Sequence, residues 1–174
     1  MPIYYHDGSN SNSGRIIQVK TASNDSNQYW ANATDWTNIS GLSISITPKE
    51  STSILLMRAQ VKFATAHSGD CVASLAIKKD GSLLSYTTNA SWGYGDYHEY
   101  VSDNDNSLSS GTGQCERVEV AGTTSATQFD VCIRTGASGW SSNNVYVGRS
   151  NRGENGWYNS SNVRSTFSIT EVAA

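Results

Sequence analysis

Histidines are the side chains that most often exchange protons near neutral pH, and this sequence has three: His6, His67 and His98. No Gly-x-Ser-x-Gly nucleophile elbow accompanies them, so a Ser–His–Asp hydrolase is not indicated. His67 is followed by Ser-Gly-Asp at 68–70, which is typical of a solvated turn between two strands. The sequence therefore predicts that the chain is not an enzyme.

Acidic residues could do a second kind of chemistry, because two carboxylates about 5–10 Å apart across a cleft can cleave glycosidic bonds. The candidates are Asp96, Glu99, Asp103 and Asp105. A small polysaccharide depolymerase remains a hypothesis on these residues. It is the least favoured one, since such enzymes are usually much longer chains built on β-helices.

A run of oxygen-bearing side chains at 103–107 superficially resembles the start of a calcium loop. An EF-hand requires Gly at the sixth position and Glu at the twelfth, where this chain has Leu108 and Gln114. The EF-hand interpretation fails, although a looser calcium site stays open. We predict a polar loop, with no bound metal and no cofactor.

Large aromatic side chains are concentrated in stretches rich in Gly, Ser and Asn, and they give the sharpest binding hypothesis. Carbohydrate sites combine flat rings, which stack on sugar C–H groups, with polar groups that bind hydroxyls. Antibody paratopes likewise combine rigid aromatic rings with adaptable loops. The alternative is that each ring packs at a subunit interface or covers one end of the fold. The candidate ligand-binding residues are Trp92, Tyr94, Asp96, Tyr97, Tyr100, Trp140, Trp157 and Tyr158.

Net charge and hydropathy exclude several classes of partner. The chain carries a net charge of −3 and its basic residues are scattered, which argues against a nucleic-acid-binding protein. Its longest apolar runs, such as 54–57, are far too short to span a bilayer, so no membrane insertion is expected. Residues 1–7 lack the features of a signal peptide, and synthesis in a cytoplasm is the expectation.

Cysteine usage gives no disulfide framework and no zinc site, because the three cysteines are widely spaced. Cys71, Cys115 and Cys132 are predicted to be reduced, largely buried thiols. One disulfide with one free thiol is the alternative.

The elements that must position these residues are β-strands. Residues 55, 57, 59, 61 and 63 are apolar and alternate with polar residues at 58, 60 and 62, which is the period of a strand and not of a helix. Asp80-Gly81 lies between two such segments and predicts a hairpin turn. We expect about nine or ten strands, with a second strand at 29–39, a third at 42–46 and a polar, aromatic excursion at 89–113.

Four segments in this order resemble the C-terminal domains of bacteriophage tail-fibre and receptor-binding proteins, those of cyanophages in particular. They lie at 16–19, 39–48, 51–57 and 165–172, within a resemblance that covers roughly 15–62 and 125–172. The Lys49-Glu50 insertion is a departure that we interpret as a loop variation. The resemblance implies a virion protein, usually a homotrimer, that attaches to the host surface.

Together these observations predict a single domain at 15–174, an antiparallel β-sandwich of jelly-roll type, after a flexible lead-in at 1–14. The expected function is a tail-fibre or receptor-binding tip that attaches the virion to host surface glycans or another receptor and contacts other tail proteins. The alternative is a purely structural virion protein, such as a fibre tip, adaptor or decoration protein, that binds no ligand. The expected location is the tail of the virion.

Overall fold

The computed structural model describes residues 14–31, 35–65, 71–84, 97–101, 110–135, 144–148 and 163–174. These residues form eleven strands and no helix. The strands are β1 (Ile16–Asn24), β2 (Gln28–Ala31), β3 (Thr37–Ile46), β4 (Ile54–Thr65), β5 (Cys71–Lys79), β6 (Ser82–Leu83), β7 (Tyr97–Val101), β8 (Ser110–Val120), β9 (Thr127–Arg134), β10 (Asn144–Val147) and β11 (Ser165–Val172).

The strands form two antiparallel sheets, each four rows wide. In the first, sheet A, β4 lies between β8 on one side and a row made of β11 and β10 on the other; β1 and β2 form the outer row beyond them. In the second, sheet B, the rows are β3, β9, β5 and then β6 with β7. Successive rows along the chain alternate between the sheets, except that β5 is followed by β6 and β7 in the same sheet; this is the strand order of a jelly roll. The predicted fold class is confirmed.

The interior is built by alternate side chains of the facing strands. On β4 the inward positions Leu55, Met57, Ala59, Val61 and Phe63 are buried, as the alternation predicts. Opposite them, the inward residues of β9 include Phe129, Val131 and Ile133, and Phe167 and Ile169 come from β11. The space between the sheets is therefore filled by aliphatic and phenyl side chains.

The Asp80-Gly81 hairpin is confirmed, and it joins β5 to β6. Both turn residues have positive φ, 47° at Asp80 and 83° at Gly81, as a two-residue turn of this kind requires. Asp80 also ties the turn to β9, because its carboxylate accepts the N–H of Gln128 at 3.0 Å while its own N–H donates to the carbonyl of Gln128.

The predicted bounds of the second and third strands are wrong. Instead of one strand over 29–39, β2 ends at Ala31, and β3 runs through 40–41, the positions that the predicted bounds leave between two strands. Gly41, with a φ of 82°, allows an irregularity between Asn38 and Ser43, so Ile39 and Leu42 both point inward. One strand with a bulge thus stands where the prediction separates two strands.

The predicted excursion at 89–113 is also wrong in part. It contains β7, which pairs with β5, and the beginning of β8, which pairs with β4 from Ser110 onward. Among the described residues each of these strands pairs with one neighbour only, and edge strands commonly have polar and charged sequences, which concealed both of them.

Cys115 and Cys132 are buried free thiols, as predicted. The Cys132 thiol donates a hydrogen bond to the carbonyl oxygen of Ala76 at 3.3 Å.

Candidate interaction surfaces

Most of the predicted ligand-binding set lies outside the described residues. This applies to Trp92, Tyr94, Asp96, Trp140, Trp157 and Tyr158. Tyr97 and Tyr100 lie on β7, where their backbones pair with Leu75 and Val72 of β5. The binding role of all eight residues stays a prediction.

Strand direction nevertheless sorts the connections between the two ends of the sandwich. One end of the sandwich is marked by Thr65, the last residue of β4, which pairs with β10. β8 begins beside it at Ser110, and β2 ends there too, at Ala31. Four pairs of consecutive strands have their facing ends here: β2 and β3, β4 and β5, β7 and β8, and β9 and β10. The opposite end has short connections at 47–53, 80–81 and 121–126, and the backbones of Arg15 and Ala173 pair there.

Backbone hydrogen bonds join the end of β10 to the residues just before β11. The Gly148 N–H donates to the Lys62 carbonyl, and the Val163 N–H donates to the Gly148 carbonyl, each at 2.9 Å. Gly148 has a φ of 80°, and a Cβ there would lie 2.4 Å from the Ser26 carbonyl oxygen. Only glycine fits this junction.

The outer face of sheet A carries an apolar surface that the sequence analysis did not predict. Two rows of outward side chains run across β1, β11, β4 and β8, near the end of the sheet where the backbones of Arg15 and Ala173 pair. We call these two rows the aliphatic band. The first row is Ile16, Val172, Ile54 and Val120, and the second is Val19, Thr170, Leu56 and Val118.

The aliphatic band is open to solvent. Val118 is 66% exposed, Ile16 and Val120 are each 60% exposed, and Val19 and Leu56 follow at 54% and 42%. Single exposed aliphatic residues are ordinary on protein surfaces, whereas a contiguous group usually marks an interaction site.

Beyond the band, the same face becomes polar toward the other end of the strands. Arg58 Nε lies 3.1 Å from Glu116 Oε1, and both side chains are largely exposed. Lys62 Nζ donates to the Thr112 hydroxyl. These neighbours on β4 and β8 give the polar half of the face both signs of charge.

The outer face of sheet B differs from that of sheet A. Ser74, Ala76 and Cys132 point away from the apolar core, yet their exposures are 1%, 0% and 0%. Asp130, two residues before Cys132, is 8% exposed and accepts hydrogen bonds from Ser43 and Gln128. Thus the chain itself covers this part of sheet B, while the band on sheet A stays open.

A buried carboxylate secures the strands beneath the band. Glu171 is 0% exposed; its Oε2 accepts from Gln18 Nε2 at 2.5 Å, and its Oε1 accepts from the Lys49 N–H at 2.8 Å. Burial acts to raise the pKa of Glu171, but the hydrogen bonds from Gln18, Lys49 and Glu50 outweigh it, so the pKa lies below its ordinary value of 4.5. The ionised carboxylate thus joins β11 to β1 and to the connection after β3.

A bulge explains why the sequence pattern did not reveal the band. The pairing with β11 shifts between Ile16 and Gln18, so Ile16 and Val19 share the outer face although they are three residues apart. Gln18 is thereby turned inward, toward Glu171. The available signal was the adjacent pair Leu55-Leu56, since one of two neighbouring leucines on a strand must point outward.

Among the described residues, no three His, Cys, Asp or Glu side chains are grouped so that they could hold a metal ion. The same part of the chain contains no helix long and apolar enough to cross a membrane.

Comparison with known proteins gives structural similarity alone. No protein-family model and no curated protein sequence matches the chain. It is similar to a chain in the structure of infectious bursal disease virus, Gt strain, with 17% identity and a TM-score of 0.46, over 100% of this chain and 43% of that one. For the crystal structure of the VP2 subviral particle of this virus, the identity is 16%, the TM-score 0.41, and the coverage 100% and 42%. This chain spans less than half the length of those proteins. At TM-scores below 0.5 the fold assignment rests on the strand order itself.

Proposed function

We propose that this chain is a structural protein of a virus particle, present there as a homotrimer. The observation that carries the proposal is the jelly-roll order of its eight rows, an architecture that viral coat domains share with lectins and cupins. The space between the sheets is filled by side chains such as Phe63, Phe129 and Phe167. This packed interior favours a scaffold over the cupin type, in which the barrel holds a ligand.

The resemblance to phage tail-fibre domains supports the same proposal. The four segments that carry it lie largely on β1, β3, β4 and β11. β1, β11 and β4 are neighbours in sheet A, and β3 packs on β1 from sheet B. The resemblance is thus concentrated on the scaffold, which is what a shared structural role would preserve.

The test is the mass of the purified chain in solution, measured by sedimentation equilibrium, with electron microscopy of the same sample. We expect a stable assembly of three copies. A protein that stays monomeric at every concentration tested would contradict the proposal.

A second candidate function is attachment to a host surface glycan. It is favoured by the four pairs of consecutive strands that end and begin at the end of the sandwich opposite Arg15 and Ala173, because binding residues are concentrated on loops that a rigid scaffold positions. Three copies would raise the avidity of a weak site by about 10²–10⁴.

We expect Trp92→Ala or Trp157→Ala to abolish binding on a glycan array without changing the oligomeric state. Tyr5→Ala, an aromatic substitution outside the candidate set, is the matched control. Glycan binding that survives both tryptophan substitutions would show that the chosen residues are wrong. If the wild-type protein binds no glycan, the purely structural role stands alone.

A further inference from the structure

We infer that the aliphatic band is the surface through which copies of this chain pack against one another. This inference rests on the proposed function and names the partner: another copy of the same chain. It does not involve the predicted aromatic residues, none of which lies in the band.

The first step is the contrast between the two outer faces. The outward side chains of Ala76 and Cys132 on sheet B are already buried within the chain. On sheet A, Val118 at 66% and Ile16 at 60% are left in water together with their apolar neighbours. A face that exposes a contiguous aliphatic group on an otherwise polar molecule gains free energy when a partner covers it.

The second step is size. Four rows of strands about 4.8 Å apart are about 19 Å wide, and the nine positions of β4 from Ile54 to Lys62, which leave out the buried Ala64, extend about 31 Å. The face therefore measures about 600 Å², at the lower end of the roughly 600–1,000 Å² per partner of a standard interface. Its aliphatic band occupies two of the five outward rows and the remainder is polar, so a contact here would combine an apolar part with a polar part.

The third step is charge. The polar half of the face carries Arg58 paired with Glu116, and Lys62 bonded to Thr112, so cations and an anion alternate. Two copies can meet here without like-charge repulsion. An anionic membrane would instead be expected to select a cluster of unpaired Lys and Arg residues, which this face does not present among its described residues.

The fourth step is extent. The band reaches both edges of sheet A, from Ile16 and Val19 on β1 to Val118 and Val120 on β8. A neighbouring copy can therefore approach it from either side.

The experiment compares three variants with the wild type by sedimentation. Val118→Asp places a carboxylate in the band on the edge strand β8, and Leu56→Thr removes an aliphatic side chain from the centre of the band without adding charge. Gln114→Asp is the control, because it introduces the same carboxylate on the same strand and face, but in the polar half.

We expect Val118→Asp to weaken association about tenfold or more, because contact would bury an unpaired charge. Leu56→Thr should weaken it less, and Gln114→Asp should assemble like the wild type. Near-ultraviolet circular dichroism and a thermal melt of each variant show whether the fold persists. If Val118→Asp does not fold, Leu56→Thr decides the question.

Assembly of Val118→Asp and Leu56→Thr at wild-type strength would overturn the inference and leave the proposed function standing. Loss of assembly in Gln114→Asp as well would also overturn it, since the contact would not be centred on the band. A wild-type protein that is monomeric throughout would instead contradict the proposed function, and the inference with it.

Discussion

At the scale of single residues, Glu171 shows how a charged group can be buried at low cost. Its position in the alternation of β11 points it away from solvent, where an ionised carboxylate is destabilising unless it is hydrogen-bonded. Gln18 and the Lys49 N–H supply those bonds. Gln18 can do so only because the bulge after Ile16 turns it inward.

Glu171→Gln is expected to lower the free energy of unfolding by about 2 kcal/mol at pH 7, since hydrogen bonds to a charged group are each worth about 1.5–3 kcal/mol. The pKa of Glu171 is lowered in the folded protein, so the carboxylate stabilises the fold fully above its unfolded value of 4.5. That contribution is lost as the pH falls through the lower, folded pKa. The stability advantage of the wild type over Glu171→Gln should therefore be constant near neutrality and shrink below about pH 4.5.

Urea unfolding at several pH values measures this difference. Glu116→Gln is the control, because Glu116 belongs to an exposed ion pair and its replacement should change stability by less than about 0.5 kcal/mol. A difference between wild type and Glu171→Gln that stays the same down to pH 2 would show that the charge of Glu171 contributes nothing.

At the scale of elements, the sequence predicts strands best where apolar and polar residues alternate. The alternation at 55–63 identifies β4, whose inward residues are all buried. The Asp80-Gly81 turn is equally local, because its geometry depends on the two residues themselves. Register with neighbouring strands is not needed for any of these assignments.

Elements whose structure depends on a partner strand could not be predicted in this way. β3 remains one strand through the irregularity at Gly41, because β9 pairs with it on both sides of that position. β7 has a polar and aromatic sequence, and its pairing with β5 is what makes it a strand. The aliphatic band also depends on strand pairing. It could not be predicted because the sequence alone does not place Val118 beside Leu56, or Leu56 beside Thr170.

At the scale of the whole molecule, the jelly roll separates two kinds of surface. The band lies toward the end where Arg15 pairs with Ala173, and four of the connections between strands leave from the other end. Copies that pack through their bands would leave those connections at the far end of the assembly. A structural role and a binding role are thus compatible on this scaffold, because they use different parts of it.

The coupling between folding and assembly gives a last prediction for the whole molecule. If three copies unfold together, a tenfold increase in protein concentration stabilises each chain by two thirds of about 1.4 kcal/mol, which is about 0.9 kcal/mol. For a chain of 174 residues this should raise the midpoint of thermal unfolding by about 2–4 °C. The midpoint of Val118→Asp should change much less with concentration, because that variant is expected to unfold as separate chains. Differential scanning calorimetry over a hundredfold concentration range measures both. A wild-type midpoint independent of concentration would mean that assembly adds nothing to the stability of the fold, and the band would then have no role as a contact between copies.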